Sequence, residues 1–184
     1  MIIKRIFDIF LAVILLLILF LPLLLIWVLV SVDTQSNGFF FQKRIGQYGK
    51  KFTIVKFKTI HPISKVISPI GFFLRKTKLD ELPQLWNVVK GEMSFVGPRP
   101  DIPGYYDKLE SEERKILELK PGITSSASIK YRDEESILKN ISNPLEYNDT
   151  IIFPDKVKMN LDYYYYRSFF GDLKIILQTF RILK

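Results

Sequence analysis

The chain contains no cysteine and a single histidine among its 184 residues. Without cysteine there is no disulfide framework and no thiolate metal site; a reducing compartment is compatible with that composition but not required by it. One imidazole, His61, excludes a histidine metal cluster and any triad that draws on several histidines. A lone histidine of this kind is read as a surface or packing residue. Acids are also missing, but only locally: Thr34 to Leu79 hold ten Lys or Arg and no Asp or Glu, within a chain of net charge +8. Such a stretch attracts anionic headgroups, phosphates or nucleic acid, or simply solubilises a surface beside a membrane. Internal repeats and low-complexity linkers are absent as well, so everything after the first segment reads as one modest domain.

What the chain does have is a long apolar run. Ile9 to Val32 is apolar at every position except Ser31, 24 residues with Pro22 near the centre. A bilayer-spanning helix needs about 20. A secretory signal would have a shorter core and a small-residue cleavage site, and "SVDTQSNG" offers none, so the segment is expected to stay on the protein. Lys4 and Arg5 precede the run; Lys43, Arg44, Lys50 and Lys51 follow it closely. Both flanks therefore look cytoplasmic, which a simple crossing does not satisfy and a segment that enters and returns does. Pro22 supplies a place to turn, because it lacks an N–H and clashes with the carbonyl four residues back. Each arm reaches about one leaflet. A crossing helix with a proline kink stays open on these grounds.

The rest of the chain reads as short elements. Phe39–Gln42 and Phe52–Lys58 are strands around a turn bracketed by Gly46 and Gly49. Gly71–Lys76 and Pro83–Val89 are expected as helices, Tyr105–Leu119 as an acidic amphipathic helix, "SFVGPRPDIPG" and "KPGITSSAS" as loops, and 139–156 as an irregular loop. In the last segment Leu173, Ile176, Leu177 and Phe180 recur at helical spacing, with Lys174, Arg181 and Lys184 elsewhere on the wheel. That pattern suits a membrane interface, or else a stripe packed on the core.

The acid-free stretch ends at "RKTKLDELPQLWNVVKGEMSFVGPRP", residues 75–100. Asp80 and Glu81 stand side by side in basic surroundings. Asp80 reads in one of two ways. It caps the helix that Pro83 begins, a common role for Asp, or it attacks phosphorus and forms an acyl phosphate. On the second reading adjacent carboxylates hold Mg²⁺, with waters and phosphate oxygens completing its shell. Arg75 and Arg99 are then candidates to grip phosphate through their planar forks, Arg99 being held between Pro98 and Pro100.

These segments resemble the small monotopic phosphoglycosyl transferases of the bacterial sugar transferase family. The likeness runs from "KRIFD" and the proline-broken apolar run through "FFFQKRIGQYGKKFTIVKFKT", "LDELPQLWNVVKGEMSFVGPRP" and "KPGIT" to "LDYYYYRSFFGDLKII". It implies an α/β fold, mainly α: a monotopic membrane protein with a re-entrant helix-break-helix over residues 1–33 that bends at Leu21-Pro22. A catalytic domain over 34–184, with a small β-hairpin and interfacial amphipathic helices, would follow. It implies that a sugar phosphate moves from a UDP-sugar to a polyprenyl (undecaprenyl) phosphate, with release of UMP, as the first membrane step of surface glycan assembly. Asp80 then corresponds to the nucleophile, Glu81 to its dyad partner, and both to ligands of Mg²⁺. Arg75, Arg99 and Arg132 correspond to phosphate-binding positions, and Pro22, Lys4 and Arg5 to the membrane bend and anchor. The partners implied are the UDP-sugar, the polyprenyl phosphate and membrane phospholipid, with no nucleic acid and with room for a homodimer. The place implied is the cytoplasmic face of the bacterial inner membrane. The alternative from a different class is a non-catalytic surface module that binds anionic lipid. Three positions depart from the family pattern: Leu21 where Ser commonly precedes the proline, "KFKTI" where Met is usual, and "SSASIKYRDEE" after "PGIT". The sugar is therefore left unassigned.

Overall fold

The computed structural model describes residues 2–182, so Lys184 lies outside the described residues. The chain folds as two compact units, one formed by the residues up to Arg44 with Lys51–Ser94, the other by Ile45–Lys50 and the chain from Phe95 onward.

In the first unit the apolar run forms two helices, α1 (Ile2–Ile18) and α2 (Phe20–Asp33), bent by 65°. The break falls at Leu19, two residues before the expected Leu21-Pro22 bend. The reason lies in the proline. Pro22 has no N–H to give Ile18, four residues back, so the ladder of α1 ends there. In α2 the same proline sits in the first turn, where an N–H has no intrahelical partner anyway. The flanking bonds persist, Leu19 N–H to Leu15 O and Leu23 N–H to Leu19 O, both at 2.8 Å. No single helix among the described residues is long and apolar enough to cross a membrane, whereas this bent pair is so when taken together.

Both arms are tied to the rest of the unit. From α2, Leu23, Ile26, Trp27 and Val30 pack with Phe39, Phe57, Leu74 and Leu79. Gly38 adopts φ +74°, and a Cβ there would lie 2.4 Å from Ser31 Oγ, so only glycine lets the chain turn off α2 into the first strand. The hairpin of β1 (Phe39–Ile45) and β2 (Lys51–Phe57) extends the first expected strand by three residues and shifts the second by one. It is followed by α3 (Pro69–Thr77), which Ser68 caps through its hydroxyl. His61 Nδ1 accepts the N–H groups of Ile63 and Ser64, a local loop-closing role. A 3₁₀ turn, Leu79–Gln84, leads into α4 (Leu85–Lys90).

β3 (Ser94–Val96), of which Phe95 and Val96 belong to the second unit, pairs with β4 (Gly122–Thr124). Cβ atoms at Gly97 and Gly122 would fall within 2.3 Å of backbone, which fixes both as glycine. Short helices α5 (Ser126–Lys130), α6 (Glu134–Lys139) and α7 (Pro144–Tyr147) follow. The longer α8 (Phe153–Tyr166) and α9 (Phe169–Ile182) complete the chain. The core joins Ile45, Tyr106, Leu109, Ile116, Leu117 and Val157.

Three expectations change here. Tyr105–Leu119 is not one α-helix but two 3₁₀ pieces, Tyr106–Lys108 and Ser111–Glu118, because Glu110 is extended and Ser111 takes φ +47°. The stretch 139–156 is largely helical. A π turn, Asn148–Ile152, joins α7 to α8, and Pro154, which cannot donate to Thr150, lies just beyond it. The expected loops are not loop alone: "SFVGPRPDIPG" begins with β3, and "KPGITSSAS" contains β4 and most of α5. On α9 the packed face is Asp172 and Ile175 with Thr179, which bonds Thr124. Of the expected apolar stripe, Leu173 and Ile176 are half-buried, whereas Leu177 and Phe180 are exposed.

Candidate active site

Asp80 and Glu81 lie in the 3₁₀ turn between α3 and α4, and both are 8% exposed. Lys78 begins that turn in the left-handed region, φ +58°, so the chain reverses there and carries the two carboxylates inward. Neither the turn nor α4 has a side-chain cap, so Asp80 is not a capping residue. Pro83 is accommodated within the 3₁₀ turn, ahead of α4.

The two carboxylates are treated differently by their surroundings. Lys56 of β2 donates to Glu81 Oε1 at 2.9 Å, a pair with 15% and 9% side-chain exposure. Asp80 Oδ1 is buried and has no hydrogen-bond partner among the described residues. Burial, then the neighbouring Glu81, raise the Asp80 carboxyl from its ordinary 3.8 to about 6, against the lowering pull of Lys56, Lys78 and Arg75. A buried, unsatisfied carboxylate oxygen is costly. It is maintained where something is to be bound or attacked.

Arg75, on α3, is half-buried and near enough to favour the Asp80 anion. Arg99 is exposed between buried Pro98 and Pro100, in the second unit with Arg132. Arg132 pairs with Asp133 at 2.9 Å and donates to Ile182 O at 3.1 Å, so its guanidinium serves the C-terminal end of α9. Arg5 behaves similarly: it donates to Val88 O at 2.8 Å and Val89 O at 3.2 Å, at the C-terminal end of α4.

Among the described residues no group of three or more His, Cys, Asp or Glu could enclose a metal ion. The site still fits Mg²⁺, which keeps several waters and takes one or two carboxylates with substrate phosphate oxygens. The orphaned Asp80 Oδ1 is the atom such an ion or a phosphorus centre would meet.

Sequence reasoning missed three residues: Lys56, Asn87 and Asp8. Lys56 is one of ten cations in its stretch. Asn87 and Asp8 are buried polar groups inside helices, and only their partners reveal them.

The bacterial sugar transferase family profile matches residues 1–184, and the chain is a member of that family. It is 36% identical to the uncharacterized sugar transferase EpsL of Bacillus subtilis, over 98% of this chain and 87% of that one. It is 37% identical to the UDP-glucose:undecaprenyl-phosphate glucose-1-phosphate transferase of Klebsiella pneumoniae, over 80% of this chain but 35% of that one. The corresponding enzyme of Caulobacter vibrioides is 31% identical over 96% of this chain and 67% of its own. The chain thus spans most of EpsL and about a third of the Klebsiella relative.

Proposed function

We propose that this transferase moves a sugar phosphate from a UDP-sugar to a polyprenyl phosphate through a covalent intermediate on Asp80. The buried Oδ1 without a partner, beside a Glu81 already held by Lys56, is the observation that carries this reading. Asp80 Oδ1 attacks the phosphorus that bears the sugar. The bond from that phosphorus to the bridging oxygen breaks, and UMP leaves with the electron pair. An oxygen of the polyprenyl phosphate then attacks the same phosphorus, and the Asp80 carboxylate departs, leaving a polyprenyl diphosphosugar.

The site's own residues act electrostatically. Lys56, Lys78 and Arg75 favour the anionic form of Asp80, which burial and Glu81 oppose. Arg75 and Arg99 are the proposed phosphate clamps. Mg²⁺, when bound by Asp80 and Glu81, would neutralise charge on the diphosphate. A lipid-binding module has no use for a buried, unsatisfied carboxylate.

The proposed setting is one face of a membrane. Ser94 bonds Asp8 near the start of α1, and Ser68 bonds Asp33 at the end of α2, all within the first unit. Both ends of the apolar pair are therefore held by the same body, and the bend at Leu19 is the part left to enter lipid. Such a segment would keep Asp80 where a soluble nucleotide sugar meets a lipid phosphate. The test is Mg²⁺-dependent UMP release from a panel of UDP-sugars, with polyprenyl phosphate as acceptor. With at least one sugar, release beyond the first equivalent is expected to depend on the acceptor, and no release across the panel overturns the reading.

A further inference from the structure

The buried dyad depends on where Lys56 stands, and Lys56 lies on a strand with one edge unpaired by β-structure. β2 pairs with β1 along the edge used by its even-numbered residues; Lys58 N–H, just past its end, bonds Gly38 O at 2.7 Å. The odd-numbered residues point the other way, where no third strand runs among the described residues. There the side chain of Asn87, from α4, takes the place of a strand. Its Oδ1 accepts Val55 N–H at 3.2 Å and its Nδ2 donates to Thr53 O at 2.8 Å. These flank Ile54 as the bonds of a parallel neighbour would. Nδ2 also donates to Glu92 Oε2 at 2.7 Å, and Glu92 in turn holds Lys90. The amide's orientation is fixed on chemical grounds: only an oxygen serves Val55 N–H, and only a nitrogen serves Thr53 O and the Glu92 carboxylate. Asn87 is 0% exposed. A buried amide with every group satisfied specifies one arrangement and tolerates few others.

Asn87 therefore bolts β2 to α4, with one end next to Lys56 and the other a turn and a half after Glu81. We propose that Asn87 is a positioning residue that sets the register of Lys56 against Glu81 and so keeps Asp80 Oδ1 the unengaged oxygen of the pair. It rests on the reading of Asp80 and Glu81 as the reacting dyad. The charged groups that act on Asp80 are Glu81 in the same turn, Lys56 on β2, Lys78 at the turn's start and Arg75 on α3. Of these, Lys56 is the one bonded to Glu81 and carried on the clamped strand.

The experiment is a double-mutant cycle on UMP release. Asn87→Ala is expected to lower kcat by about tenfold or more while KM changes little. Lys56→Met should show the same loss in kcat, and the double variant should be little worse than Lys56→Met alone. Additive losses, or a loss carried by KM, overturn the proposal and leave Asn87 a purely structural bond. If Asn87→Ala does not fold, Glu92→Ala carries the test. It removes one acceptor from the amide and must lower kcat by less, and non-additively with Lys56→Met; an unchanged kcat or additive losses there overturn the proposal too. Asp80→Asn runs alongside. Turnover in that variant would sink the dyad reading itself, whereas an inactive Asp80→Asn with additive Asn87 and Lys56 losses sinks only the clamp.

Discussion

Ser94 Oγ donates to Asp8 Oδ2 at 2.7 Å in a fully buried contact, so a residue nearly two turns into the bent helix pair is bonded to the end of the first unit, which carries the dyad. With Arg5 on the carbonyls of Val88 and Val89, this pins the start of α1 to α4. Asp8→Ala strands the buried Ser94 hydroxyl and should cost on the order of 2 kcal/mol. Thermal unfolding in detergent measures it. A loss near zero would mean that the contact contributes nothing to holding the helix.

That pinning fixes where the N-terminal end must lie. With no native cysteine to interfere, Ile2→Cys is a single reporter. In intact cells an impermeant thiol reagent should leave it unlabelled, as it should a cysteine placed in the loop at Ser64. Labelling at position 2 from outside would mean that the run crosses. Pro22→Leu restores an N–H for Ile18 and favours a straight helix; added to Asp8→Ala, which frees the start of α1, it should expose the reporter in a measurable fraction.

Burial of Asp80 carries a stability cost with a definite pH dependence. Below about pH 4 both folded and unfolded chains hold the proton. Between there and about 6 the unfolded chain has released it and the folded one has not, so wild-type stability falls as pH rises. Asp80→Asn does not titrate. In a metal-free buffer its stability lead over wild type should grow through that window and then level off, at no more than about 3 kcal/mol. Paired melts across the pH range decide it, and a lead independent of pH would contradict the buried-carboxylate account.

Arg99 and Arg132 should respond differently to substitution. Arg99 is exposed between two buried prolines, and its planar fork is the proposed phosphate contact. Arg99→Lys keeps the charge and loses the fork, so kcat/KM should fall by about tenfold. Arg132 already serves the end of α9, so Arg132→Lys should cost far less activity. Equal losses would make Arg132 a phosphate ligand on the same footing as Arg99.

The sequence made the site's chemistry legible but not its wiring. The pairing of Asp80 with Glu81, the hairpin and the proline-broken run all rest on local patterns: adjacent acids, glycine-bracketed strands, a proline in an apolar stretch. The exact break did not, because Pro22 acts on Ile18 and the turn falls between them at Leu19. The helices between Pro144 and Tyr166 were hidden by polar residues and by Pro154, which the π turn absorbs. Lys56, Asn87 and Asp8 act on residues far along the chain. No spacing rule connects Asn87 to Val55 or Asp8 to Ser94; only the folded arrangement does.

The most direct measurement is to trap the intermediate. The enzyme is incubated with Mg²⁺ and a UDP-sugar that supports turnover, without polyprenyl phosphate, and the intact protein and its peptides are weighed by mass spectrometry. A gain equal to one sugar phosphate, located on the peptide that contains Asp80 and matched by one equivalent of UMP, is the predicted result. The adduct should vanish on adding polyprenyl phosphate and never form in Asp80→Asn. Turnover by wild type with no adduct at Asp80, or an adduct that persists in Asp80→Asn, would contradict the account.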